Sequence, residues 1–167
     1  MREHNIQLLT RAETWLLLTT IFYFLINGAQ LFETLVLVPK WTASPPDSFH
    51  FFAGKHALDL KTFWVIAHSI HELTLLPALF FCRNTEVFQP LLFLTALHFA
   101  VRAWTLLYFA PAILHFQKLA RIGGTMPELA LRVNRWKNLN YLRVGISLFI
   151  SFALVALCLR MLSLEIF

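Results

Sequence analysis

At 167 residues the chain has room for one domain, and 58% of its residues are hydrophobic while only 14% are charged. A soluble domain is roughly half apolar and a quarter charged; with a mean hydropathy of +0.64, this chain has too little polar surface to face water. The formal charge of +5 is spread along the sequence rather than gathered into a block, so it reads as membrane-flanking Lys and Arg and excludes a nucleic-acid-binding patch.

A spanning helix needs about 20 mostly apolar residues, and four segments qualify, at about 14–38, 62–82, 90–116 and 139–162. The first starts near Thr14 and is too long for the apolar core of a signal peptide, so it reads as a true span. Pro39 is expected to stop it. Loop 1 (39–61) holds Ser44-Pro45-Pro46-Asp47-Ser48, which cannot be regular helix; Phe49 to Leu60 after it is expected to form a short interfacial helix. Pro77 lies inside the second span, and loop 2 (83–89) is short enough to make an antiparallel hairpin. Pro90 suits the first turn of the third span, and Pro111 predicts a kink or an end there. Loop 3 (117–138) breaks at Gly123-Gly124-Thr125-Met126-Pro127 and leads helically into the fourth span. Cys82 and Cys158 have neither CxxC spacing nor a disulfide framework.

Lys and Arg in short loops orient a membrane protein. Loops 1 and 3 carry Lys40, Lys55, Lys61, Lys118, Arg121, Arg132, Arg135 and Lys137, eight residues, against Arg2, Arg11, Arg83 and Arg160, four residues, on the other side. The expectation is an integral protein of the cell or inner membrane, if bacterial, with loops 1 and 3 cytoplasmic and both termini non-cytoplasmic. Trp15, Trp41, Trp64 and Trp136 fall near the interfaces and read as aromatic-belt anchors; Trp104 is deeper and could line the core.

The polar residues within the spans carry the functional signal, because an ionisable group in hydrocarbon costs at least ~2.5 kcal/mol on insertion scales and usually faces the bundle interior. Span one has Asn27, Gln30 and Glu33 at three-residue spacing. Span two has His68, His71 and Glu72, span three Thr95, His98, Arg102 and Thr105, and span four Trp136, Asn140, Arg143, Ser147 and Ser151. Each set forms a stripe at helical spacing, and four such stripes facing one another make a polar core. At 1.5 Å per residue from the loop 1/loop 3 surface, Glu33 and Arg143 lie roughly 7 Å deep, His68 about 10 Å, His71, Glu72 and Arg102 roughly 15 Å, and His98 deeper. Two layers follow: Glu33–Arg143 with His68, and Glu72–Arg102 with His71. Asn140 and His115 sit at the mouth.

Three explanations stay open for these groups. They could be structural hydrogen bonds and ion pairs between helices. They could bind a metal through His68, His71, Glu72 and His98, or a haem through two histidines on facing helices. They could instead line a site for a lipophilic small molecule, which an aromatic-walled core with a few polar groups suits. No Gly-rich nucleotide motif is present; Gly123-Gly124 is turn chemistry.

The run Arg135-Trp136-Lys137-Asn138-Leu139-Asn140-Tyr141-Leu142-Arg143 resembles the W-x-x-x-N-x-x-R signature opening the last helix of the anthrone oxygenase-like family of small four-span membrane proteins. Gly28 followed by Glu33 and Pro39, Trp41 with Pro45-Pro46-x-Ser48, and Tyr108-x-x-Pro111 look similar as well. The resemblance implies a four-helix bundle, oxidation of an anthrone to a quinone by molecular oxygen, and roles for Trp136, Asn140, Arg143 and Glu33. A weaker resemblance, of His68-x-x-x-Glu72 followed by Pro77, is to the sterol isomerase and sigma-2 receptor group, and implies proton transfer by a buried acid.

The reading is an all-α, integral membrane four-helix bundle, a single domain over 1–167, with one long loop carrying a short interfacial helix and one polar cavity opening toward loops 1 and 3. The expected function is an oxidoreductase acting on a lipophilic aromatic or quinone-like molecule. His68 or His71 would act as general base beside Glu72, and Arg102 and Arg143 would stabilise an oxyanion. Glu33, His98, Trp104, Trp136 and Asn140 would bind substrate. No cofactor is expected, with a metal ion or haem as the alternative; the rival function classes are a non-enzymatic ligand-binding protein and a sterol-isomerase-like proton-transfer enzyme. The expected partners are the bilayer and a lipophilic small molecule, with a homo-oligomer left open.

Overall fold

The computed structural model describes residues 2–52 and 60–163. Among them the chain is helical, with no strand: α1 (Arg2–Phe32), a π-helical turn (Glu33–Leu37), α2 (Val38–Trp41), a 3-10 helix (Asp47–Phe52), α3 (Lys61–Cys82), α4 (Phe88–Trp104), a second π turn (Thr105–Phe109), α5 (Ala110–Ile122) and α6 (Leu129–Ser163). Four continuous helical stretches are long and apolar enough to cross a membrane: Leu9–Trp41, Lys61–Cys82, Phe88–Ile122 and Leu129–Ser163. The fold is an all-α bundle of four membrane-crossing helices, as composition and hydropathy led one to expect.

Proline does not end the first or third span. Pro39 and Pro111 have no N–H to give to the carbonyl one turn back. In both places the helix widens by one residue just upstream: Val38 N–H bonds to Glu33 O, and Ala110 N–H to Thr105 O. Each proline then falls in the first turn of the next segment, where its missing donor costs nothing. The third helix therefore runs on to Ile122. It stops at Gly123, whose φ of 61° is the left-handed conformation that glycine adopts without a Cβ penalty, and whose N–H caps Leu119 O. The lead-in to the fourth span is continuous with it from Leu129.

α1 packs against α3 and α6, and α4 packs against α6. The seam between α3 and α4 is the loosest in the ring, although a short turn joins them. The first half of α3 leans outward: Phe63, Val65, Ile66 and Ile70 are exposed, and full burial begins at His71. Along the axis the interior has three zones. At the loop 2 end an apolar core gathers Leu16, Ala78, Cys82, Leu91, Leu154 and Met161. A polar zone follows. At the loop 1/loop 3 end an aromatic cluster of Trp41, Phe49, Phe109, Phe116 and Trp136 closes the bundle.

That cluster corrects the assignment of Trp41 and Trp136 as belt anchors. Trp41 is 4% exposed and Trp136 3%, with ring centroids 4.9 Å apart. Loop 1 turns back on itself to enclose them. Ser48 Oγ donates to Trp41 O at 2.7 Å and accepts from the Ser44 N–H at 3.3 Å, across a cis Pro45–Pro46 peptide. This seats Phe49 and Phe52 against the Trp41 ring. The expected interfacial helix is a 3-10 helix over Asp47–Phe52; the rest of it, with Lys55, lies outside the described residues.

Candidate functional site

The polar zone has two layers. The outer layer is built on α6, where Trp136, Asn140, Arg143, Ser147 and Ser151 step along one face, all of them buried except the half-buried Arg143. Arg143 donates from Nη1 to Thr105 Oγ1 at 3.2 Å and from Nη2 to Asn140 Oδ1 at 2.6 Å. Asn140 passes its own amide to Thr34 Oγ1 at 3.1 Å. The Trp136 indole N–H donates to Phe109 O at 3.4 Å, and the Phe109 ring lies 4.5 Å below the Arg143 guanidinium, a cation–π contact. Trp136, Asn140 and Arg143 thus belong to one connected network that ties the two π turns and α6 together.

Glu33 does not make the expected direct pair with Arg143. Its carboxylate is turned to Trp64 on α3 and feels Arg143 only as a nearby charge. The reason is helical phase. Three-residue steps fall short of a full turn, so the face that begins at Asn27 and Gln30 continues to Thr34, which is 2% exposed, while Glu33 rotates toward α3.

The inner layer joins α1, α3 and α4. Arg102 Nε stands 3.4 Å from Glu72 Oε1, with the side chains 21% and 34% exposed. This is the pairing expected from depth, held at ion-pair distance without hydrogen-bond alignment at Nε. His71 and His98 face each other at 4.9 Å between ring centroids, and His68 lies 6.5 Å from His98. His98 is level with His71 rather than deeper, because its helix runs well past the level where α3 begins. Arg102 exerts its charge on all three imidazoles. Trp104 stands apart from this layer, its ring on Phe109 in the outer one at 5.2 Å.

Tyr23 completes the layer and was missed from sequence. It is 3% exposed, its ring centroid lies 4.8 Å from His71, and its hydroxyl lies 3.3 Å from His98 Nδ1. The Ser147 side chain is its neighbour on α6. Tyr23 is one turn before Asn27, so extending that stripe backward would have found it. Asn27 Nδ2 in turn donates to Ser147 O and Ser151 Oγ. Thr95 contributes less than its place in the stripe suggested, because its hydroxyl donates to Leu91 O within its own helix at 2.8 Å.

Four buried ring nitrogens of this layer, His68 Nδ1, His71 Nδ1, His71 Nε2 and His98 Nε2, have no hydrogen-bond partner. Tyr23, His71, Thr95 and His98 border a cavity of about 10 Å³, close to the room one water needs and too small for a substrate. The α3/α4 seam beside His68, Glu72 and Arg102 is the loosest in the ring, and the small cavity at the histidines is not the chamber expected from the stripes. Among the described residues no three or more His, Cys, Asp or Glu side chains are arranged to hold a metal ion; of the alternative ligand set, Glu72 is engaged by Arg102. At the loop 1/loop 3 end a cleft of about 540 Å³ opens between α5 and α6 with Trp136 on its wall.

Comparison with protein-family models, with curated proteins and with solved structures returns no match.

Proposed function

We propose that this integral membrane protein is an enzyme that takes a proton from a lipophilic, enolisable aromatic molecule and commits it to oxidation by dioxygen. One observation carries the reading: three imidazoles, a phenol and a guanidinium share one level of the membrane interior, and four imidazole nitrogens there are unbonded. Burying an unpaired polar atom costs roughly 1–3 kcal/mol by protein measurements and more in hydrocarbon. Helix gluing alone would favour partners for all of them.

His68, half-buried at the α3/α4 seam, or His71 behind it accepts the proton from the CH2 group that is conjugated through the aromatic rings to the carbonyl. Arg102 and Arg143 stabilise the enolate oxygen as charge develops. Glu72 holds Arg102, Asn140 holds Arg143, and Glu33 and His98 complete the binding surface. Dioxygen, the oxidant implied by the resemblance to anthrone oxygenases, then converts the CH2 carbon to a carbonyl: one oxygen atom is retained, and the other leaves as water with the two hydrogens. The substrate reaches His68 laterally from the bilayer through the α3/α4 seam.

The test is oxygen uptake and quinone absorbance with an anthrone and the purified protein in nanodiscs. His68→Ala and His71→Ala are expected to lower turnover by about 10²–10⁴ with circular dichroism unchanged. Turnover untouched by both variants, or absent from the native chain, refutes the reading. Double-bond migration in a sterol without oxygen uptake would replace it with isomerase chemistry, and a Soret band or stoichiometric metal would replace the cofactor-free form.

A further inference from the structure

We propose that the cleft between α5 and the first turns of α6 is a binding site for the phosphate headgroup of an anionic membrane phospholipid. It is separate from the histidine layer, and nothing in the proposed chemistry uses its arginines.

Helix lengths place the cleft at headgroup level. α3, with 22 residues, is about 33 Å long and spans the hydrocarbon by itself. Phe88–Ile122 and Leu129–Ser163 have 35 residues each, about 52 Å. α3 and α4 meet at a short turn at the loop 2 end, so the excess length projects beyond Lys61 at the opposite end. α5 and the start of α6 therefore reach past the hydrocarbon boundary, and the cleft between them begins at the headgroup layer.

The lining has two chemistries. Arg132 and Arg135 supply donors, against one carboxylate, Glu128, while His115 is held through Nε2 on Met126 Sδ at 3.3 Å. Both guanidinium groups are exposed and free to turn toward an anion. The rest of the wall is apolar, from Ala112, Phe116 and Leu131, with Tyr108 and Trp136 beside it. Trp136 commits its N–H to Phe109 O, so it offers the cleft a ring face and no competing donor. A soluble phosphate would use only the arginines. A phospholipid uses both zones, its phosphate on the guanidinium pair and its glycerol and first methylenes on the wall. About 540 Å³ suits a headgroup, and basic recesses between membrane helices are a recurrent way of holding one.

The test measures binding to the full chain in neutral detergent micelles by thermal shift, titrating phosphatidylglycerol, phosphatidylcholine and sn-glycerol 3-phosphate. Phosphatidylglycerol is expected to bind at least tenfold more tightly than phosphatidylcholine, and glycerol phosphate not at all. Arg132→Gln and Arg135→Gln should each weaken phosphatidylglycerol about fivefold, the fold-change corresponding to roughly 1 kcal/mol per basic residue near an anionic surface. Ala112→Trp, which fills the cleft and keeps every charge, should abolish the preference, while Arg160→Gln at the other end should leave it intact. Equal binding of the two lipids, equal binding of glycerol phosphate, or a preference that survives Ala112→Trp would each overturn the proposal; the last would assign the effect to diffuse surface charge.

Discussion

Arg102 on α4 and Glu72 on α3 stand 3.4 Å apart across the least tightly packed seam of the bundle. It stands beside the contacts of His98 with His68 and His71, and in so loose a seam the pair carries a larger share of the local cohesion than an ion pair in a well-filled interface would. Its exposure, 21% and 34%, puts it between surface pairs, worth about 0–1 kcal/mol, and buried ones, whose single truncations cost about 3–5 kcal/mol. Glu72→Gln and Arg102→Gln are each expected to destabilise by about 1–3 kcal/mol, with the double variant less than additive. Unfolding in micelles through a double-mutant cycle reads the coupling; strict additivity would mean that the two charges do not stabilise one another.

Asn140 is the single link between Thr34 and Arg143. Asn140→Leu keeps the volume but strands a hydroxyl and one arm of the guanidinium. The expected loss is about 2–4 kcal/mol, two interrupted hydrogen bonds of which one is charge-assisted. Serine at the same position, too short to reach both partners, should behave similarly. A stability change below about 0.5 kcal/mol, the ordinary range of a neutral surface substitution, would show that the network is dispensable.

Tyr23→Phe separates structure from chemistry in the histidine layer. Both ring contacts, 4.8 Å to His71 and 5.4 Å to His98, survive, and only the hydroxyl that orients His98 and meets Ser147 is lost. Stability is expected to fall by about 1 kcal/mol, whereas turnover of an anthrone should drop at least tenfold with KM little changed. Equal, small effects on both would make Tyr23 a packing residue only.

Glu128 holds a φ of 59° at the start of α6, a left-handed conformation costing a side-chain-bearing residue roughly 1–2 kcal/mol. Glu128→Gly is expected to raise stability by about 0.5–1 kcal/mol, the relief being partly offset by the greater freedom of glycine in the unfolded chain. A lower melting temperature would contradict this.

An even number of spans places both termini on one side of the membrane, and the eight-to-four basic bias predicts that this side faces away from the cytoplasm. In a background without Cys82 and Cys158, a cysteine near Met1 should react with an impermeant maleimide in intact cells, and one at Thr125 only after permeabilisation. The reverse pattern would invert the topology.

Hydropathy alone determined the all-α membrane bundle and the four spans, because about 20 apolar residues in a row have few other stable solutions. Stripe spacing brought out His68, His71, Glu72, His98 and Arg102 as one group, and depth brought out the Glu72–Arg102 pair; regular helices turn residue number into position with little error. Three matters were decided only by the tertiary structure. The π turns before Pro39 and Pro111 answer a missing N–H by widening the helix, and nothing in a hydropathy profile separates that from a stop. That Thr34, through Asn140, rather than Glu33 connects the first span to Arg143 depends on helical phase accumulated over two turns, too fine for residue spacing alone to resolve. The burial of Trp41 and Trp136 arises because loop 1 folds back over the bundle end, a long-range contact that local sequence does not encode, whereas an interfacial tryptophan and a tryptophan under a loop carry the same local signal.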